Sequence, residues 1–185
     1  MKLDTELLEK SFEKVENRAV EFSADFYQKL FALHPELKPL FANADAVAQE
    51  KKLVASLAII VENIRNPEPL EQALKSLGAY HKEVGTIREH YPFVGQALLE
   101  TLAQYLGSSW NEATKQTWIA AYNSIAETML EGAKNPQAYL EGELTFYDWL
   151  DLYGESSPAV RRMIESNTHF KYRNSDAVYK SSSER

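Results

Sequence analysis

Of the four histidines, His81 sits in the most telling company. Leu70, Leu74, Leu77, His81 and Val84 recur at intervals of 4, 3, 4 and 3, so on a helix the imidazole points where the leucines point. An imidazole there is either a core histidine satisfied by its surroundings or a neutral nitrogen ligand for a buried metal. His34, His90 and His169 lie on no such stripe. Two other polar residues fall on apolar faces. Gln49 is in line with Leu53, Leu57, Ile60 and Ile64 at spacings 4, 4, 3 and 4, and Tyr27 stands between Phe26 and Leu30. Alone, the glutamine reads as an exposed helix start and the tyrosine as a buried phenol with a local partner. Together the three residues offer one metal ligand and two hydrogen-bond donors.

The elements that must carry them are helical. The periodicity predicts helices over about Asp4–Glu16, Arg18–Leu33, Asp45–Ile64, Pro69–Val84, Tyr91–Leu106 and Asn111–Gly132, with a short piece over Pro35–Phe41 limited by Pro39. Strand signals are nearly absent, connections are short, and no internal repeat occurs. The class is all-α. From Asn135 the texture changes: residues 138–154 are dense in aromatics (Tyr139, Phe146, Tyr147, Trp149, Tyr153), and residues 155–185 are polar and end in a serine cluster. Residues 1–134 are expected to form the folded domain. Residues 135–185 form an extension, helical or partly disordered, either packed on the domain surface or serving as a homodimer or partner interface.

The 185 residues suit one domain plus a tail, and 44% apolar with 25% charged residues is ordinary for a globular chain. With no cysteine there is no disulfide, thiolate nucleophile, zinc finger, iron–sulfur cluster or covalently tethered c-type haem. The net charge of −7 argues against nonspecific binding to nucleic acid or an anionic membrane. That acidity belongs to residues 1–154, because residues 155–185 carry six basic against four acidic groups. The longest apolar run, Leu53–Val61, is too short to span a bilayer, and the charged MKLDTELLEK start has no signal region. A cytoplasmic protein is expected.

Several segments in order, FYQKLFALHPELKPLF (26–41), QEKKLVASLAIIVENI (49–64), LGAYHKEVG (77–85), HYPFVGQALLETL (90–102) and WIAAY (118–122), give the chain its likeness to a known family. It resembles the globins, in particular bacterial single-domain globins and the globin domain of flavohemoglobins, over roughly residues 5–133. The resemblance implies a 3-on-3 helical sandwich around a non-covalent haem b (iron protoporphyrin IX). It makes His81 the proximal iron ligand, with its other ring N–H given to a carbonyl near Leu77. Phe41 would pack flat on the haem, Leu53 and Val94 would wall the pocket, and Lys52 would either reach a propionate or stay solvated.

Tyr27 and Gln49 match the family's distal pair, which stabilises bound O₂, and Tyr91 matches the tyrosine of its proximal network. The glutamate of that network has no match: its expected place is Ala133, and Glu131, two residues away, is turned by about 200° on a helix. The resemblance implies reversible binding of O₂, NO and CO, tight enough to suit oxygen chemistry or sensing better than bulk oxygen transport. Nitric oxide dioxygenation is the implied activity. No glycine-rich dinucleotide fingerprint is present, so electrons would come from a separate reductase. The other reading is a gas sensor, or an O₂-binding module, that signals through the extension.

Overall fold

A computed structural model describes residues 3–140, 145, 146, 150, 154 and 156–166. Each described element is a helix: α1 (Thr5–Glu16), α2 (Ala19–Leu33), a 3-10 helix (Pro35–Phe41), α3 (Ala46–Asn63), α4 (Pro67–Glu83), α5 (His90–Leu106), a short 3-10 turn (Gly107–Ser109), α6 (Glu112–Gly132), α7 (Gln137–Leu140) and α8 (Pro158–Ser166). The starts follow from capping chemistry. Asp4, Asp45 and Asn111 each accept a hydrogen bond from a first-turn amide, Leu7 N at 3.0 Å, Ala48 N at 2.7 Å and Thr114 N at 3.0 Å. Helix α4 begins at Pro67, two residues before the expected start. Proline is tolerated throughout a first turn, where amides have no intrahelical partner, so Pro67 opens the helix and Pro69 does not interrupt it. Among the described residues no helix is long and apolar enough to cross a membrane.

The helices cross pairwise around one core. Helix α4 packs on α6, α2 on α5 and α3, and α1 against α3, α5 and α6. Phe12 leans on Trp118, whose indole N–H donates to Ser11 Oγ at 2.9 Å. Phe22 meets Tyr105 edge-on at 5.3 Å, and the Tyr105 hydroxyl donates to Asp25. These contacts tie α1 to α6 and α2 to α5 with aromatic area whose polar ends are satisfied.

The α4–α6 crossing is closer than side chains would allow. A Cβ on Gly78 would fall 1.8 Å from the Met129 carbonyl oxygen, and one on Gly132 would fall 1.9 Å from that of Lys75. The two backbones touch because both contact points lack a side chain. Gly78 is one turn before His81, so this contact sets the depth at which that turn lies.

The described part of the extension belongs to the same core. Phe146, Leu150, Ala159, Val160 and Met163 are buried with the residues of α1 to α6. Helix α8 packs on α3 and α1, and α7 packs on α4. Glu16 of α1, only 4% exposed, is held at both oxygens by the Arg162 guanidinium of α8. Tyr147, Trp149, Tyr153, His169 and the terminal serines lie outside the described residues.

Gly78→Ala should cost about 3 kcal/mol or more, because two backbones rather than a flexible side chain must separate. Thermal unfolding checks this. Arg162→Ala should cost about 2 kcal/mol by leaving the Glu16 carboxylate buried and unpaired, discounted for the half-exposed guanidinium. Arg162→Ala together with Glu16→Gln should recover most of the loss.

Candidate functional site

Helix α4 presents His81 in its last turn, and the backbone there is locked from both sides. The His81 carbonyl accepts from Thr86 N at 2.8 Å, across a turn in which Gly85 takes φ +92°. That conformation is easy only for glycine. The imidazole Nδ1 lies 2.8 Å from the Leu77 carbonyl. A carbonyl can only accept, so Nδ1 carries the proton and Nε2 keeps the lone pair. Burial pushes the His81 pKa below the ordinary histidine value, more than the Leu77 bond raises it. The ring is therefore a neutral, oriented nitrogen donor with one free ligand atom.

Tyr27 and Gln49 come together from α2 and α3. The Tyr27 hydroxyl donates to the Gln49 main-chain carbonyl at 3.5 Å, a long bond. Burial first, and the nearby Glu50 second, push the phenol far above its usual range, so it stays a neutral donor. The 3-10 helix delivers Phe41 to the same place. Proline 39 within it has no N–H, so an α-helix does not run through. The Phe41 ring meets Tyr27 edge-on at 5.7 Å and Phe31 at 5.3 Å. Gln49, Lys52, Leu53 and Val94 are each half-buried, Lys52 and Leu53 on α3 and Val94 on α5. Leu53 and Val94 pack against the core from its margin.

Tyr91 is buried on α5, and its hydroxyl has no hydrogen-bond partner among the described residues. Burial pushes its pKa up to about 12. Tyr122, which the spacing had not singled out, supports it: the Tyr122 hydroxyl donates to the Tyr91 carbonyl. Its ring fills the space a Cβ on Gly95 would need, 2.6 Å away. The signal was present in WIAAY, where Tyr122 lies one turn after the buried Trp118. Glu131 is exposed and paired with Lys134 at 2.5 Å, which lowers its pKa. A cavity of about 480 Å³ lies elsewhere, between α1, α3 and α8. It is lined by Glu9, Glu13, Glu16 and Glu62 beside Arg162.

A single neutral imidazole, a phenol and an amide beside packed aromatics do not make a cage for a bare ion. Among the described residues no group of three or more histidines or carboxylates could hold a metal. The globin family profile matches residues 24–129. The chain belongs to the globin family. The flavohemoproteins of Rhizobium meliloti and Deinococcus radiodurans are 33% and 36% identical over 106 and 107 residues, which is 56% and 57% of this chain but 26% and 27% of theirs. This globin thus spans about a quarter of the length of those curated relatives.

Among solved structures, a bacterial globin from Campylobacter jejuni superposes with a TM-score of 0.63 at 26% identity, covering 72% of this chain and 96% of that one. A carbene transferase engineered from a candidate nitric oxide dioxygenase of Rhodothermus marinus gives 0.65 at 27% identity, covering 75% and 96%. The fold is the all-α globin fold. Globin membership implies a haem, and the residues present fit one. His81 offers a free Nε2, and Tyr91 keeps a buried hydroxyl without a partner among the described residues.

Tyr91→Phe should stabilise the haem-free globin by about 1 kcal/mol, since it removes a buried polar atom that no described group satisfies. In the haem-loaded protein the gain should shrink if bound haem brings the hydroxyl a partner. Urea unfolding of both forms checks this.

Proposed function

We propose that this globin holds haem b non-covalently, binds O₂, NO and CO reversibly, and supports the conversion of NO and O₂ to nitrate with electrons from a separate reductase. The observation that carries the reading is the disposition of polar groups. A neutral imidazole with one free nitrogen stands on α4, and a protonated phenol reaches the first turn of α3, where Gln49 stands. Haem, when bound, supplies gas binding and one-electron chemistry; NO, O₂ and one electron balance to nitrate.

The protein's own residues do the rest. His81 Nε2 is the iron ligand, and the Leu77 carbonyl, by accepting the Nδ1 proton, fixes the ring and raises its donor strength. Tyr27 and Gln49 place O–H and N–H donors toward a diatomic ligand that carries partial negative charge. Phe41, Leu53 and Val94 give the haem apolar walls, and Lys52 neutralises a propionate at the rim. Tyr91 supports the proximal side through its hydroxyl. Glu131, exposed and tied to Lys134, does not reinforce it, so strong peroxidase-like activation is not expected. Residues 1–134 are the haem-binding domain and residues 135–185 an extension whose described part, up to Ser166, buttresses it. The likeness to flavohemoproteins, and to a candidate nitric oxide dioxygenase of Rhodothermus marinus, favours dioxygenation over oxygen transport.

Visible spectra of the purified protein, oxidised, reduced and under CO, should show a Soret band that moves with each state. His81→Ala should lose most of the haem, and an unchanged Soret position and occupancy would reject the ligand assignment. Tyr27→Phe should speed O₂ release by about one to two decades, the kinetic equivalent of a hydrogen bond to a charged acceptor. Mixing the reduced, oxygenated protein with NO should yield nitrate; if no nitrate forms, the dioxygenase reading fails.

A further inference from the structure

On α4, Ser76 lies five residues before His81, about 140° around the helix from it. Ser76 therefore lies on the far side of α4 from the imidazole, about a turn and a half before it. Its side chain is buried at 3% exposure, and its Oγ accepts the Phe146 backbone N–H at 3.0 Å. Phe146 is itself 1% exposed within the common core. Further along the extension, the first turn of α8 is received by α3. The Ala159 N–H donates to Glu62 Oε1 at 2.8 Å, and Ser157 Oγ caps Val160 N at 3.0 Å. Arg162 then closes on Glu16 of α1. The C-terminal segment is thus bonded in turn to the helix that carries His81, to the helix that carries Gln49, and to α1. Helices α3 and α4 make few contacts with each other and are joined by the tight Ile64–Asn66 corner. The extension braces both from outside.

We propose that Ser76 is a positioning residue for His81. By accepting the Phe146 N–H it clamps the C-terminal segment against the back of the His81 turn, opposite to the side held by Gly78 on Met129. The inference rests on the haem-globin reading for its spectroscopic consequence, but the clamp itself is a property of the chain. Held from both sides, α4 keeps the imidazole at a fixed depth and tilt. Released on one side, it moves as a hinged helix, and the nitrogen with it.

The test compares Ser76→Ala with Ser11→Ala in the full-length purified protein. Each variant removes one buried hydroxyl that accepts a hydrogen bond, the second of them on α1, away from the site. Ser76→Ala is expected to speed amide hydrogen exchange across residues 77–83 and to shift the iron–histidine stretching band of the reduced protein. It should also speed haem transfer to an excess haem acceptor about fivefold, the size of one lost hydrogen bond. Ser11→Ala should lower the melting temperature without moving these three. The proposal is overturned if Ser76→Ala lowers the melting temperature but leaves exchange in residues 77–83 and the stretching band as in the parent. Arg162→Gln, which frees α8 while sparing Ser76, should produce a weaker shift of the same sign, and it stands in should Ser76→Ala not fold. If the parent protein carries no haem, the haem-globin reading fails on its own, and hydrogen exchange in residues 77–83 still decides for or against the clamp.

Discussion

The close contact between the backbones of α4 and α6 is the constraint on which the geometry of this globin rests. Gly78 lies on Met129 and Gly132 on Lys75, at distances where no Cβ fits. Helix axes usually stand apart by the thickness of interdigitated side chains; here that layer is missing at two points about one turn apart on each helix. The depth of α4, and so of His81, is set by hard main-chain contact and not by side chains that can adjust. Everything that requires an imidazole at a defined place inherits this rigidity. The Leu77 carbonyl then needs only to fix the rotation of the ring.

Around that fixed helix the buried polar side chains named above are almost all committed to partners on other elements. The Trp118 indole N–H goes to Ser11, the Tyr122 hydroxyl to the Tyr91 carbonyl, Glu16 to Arg162, and Ser76 to Phe146. Each such commitment avoids the cost of an unsatisfied polar atom and also specifies one relative placement of two helices. Three groups stand out. The free Nε2 of His81 and the Tyr91 hydroxyl are not used up by the described protein, and the neutral Tyr27 phenol makes only a long bond. Polar groups with capacity to spare, next to half-buried aromatic and aliphatic side chains, are what a family that carries haem would be expected to show.

The extension changes how this globin is to be understood as a folded unit. Its amphipathic α8 does not present its apolar side to solvent: Ala159, Val160 and Met163 are buried against the same core as Leu8 and Ile59. The arginine that anchors it neutralises the most buried carboxylate of α1. The basic excess of residues 155–185 thus includes Arg162, matched to an acidic partner in the body of the domain.

The sequence by itself determined the helices, because caps, prolines and apolar spacing are local. Asp4, Asp45 and Asn111 start α1, α3 and α6 whatever those helices later touch. The stripe from Leu70 to Val84 likewise singled out His81 before any neighbour was known. What spacing could not supply was distance between elements. Gly78 and Gly132 read as ordinary glycines, Ser76 as one serine among many, and Tyr122 as an aromatic after Trp118, because a side chain's partner across the fold leaves no trace in the periodicity of its own helix. The same holds for Glu16, whose burial depends on an arginine 146 residues later. Local chemistry fixes which segments become helices and which face turns inward. Only packing in three dimensions decides how closely two helices approach, which polar atoms find partners, and where α8 docks.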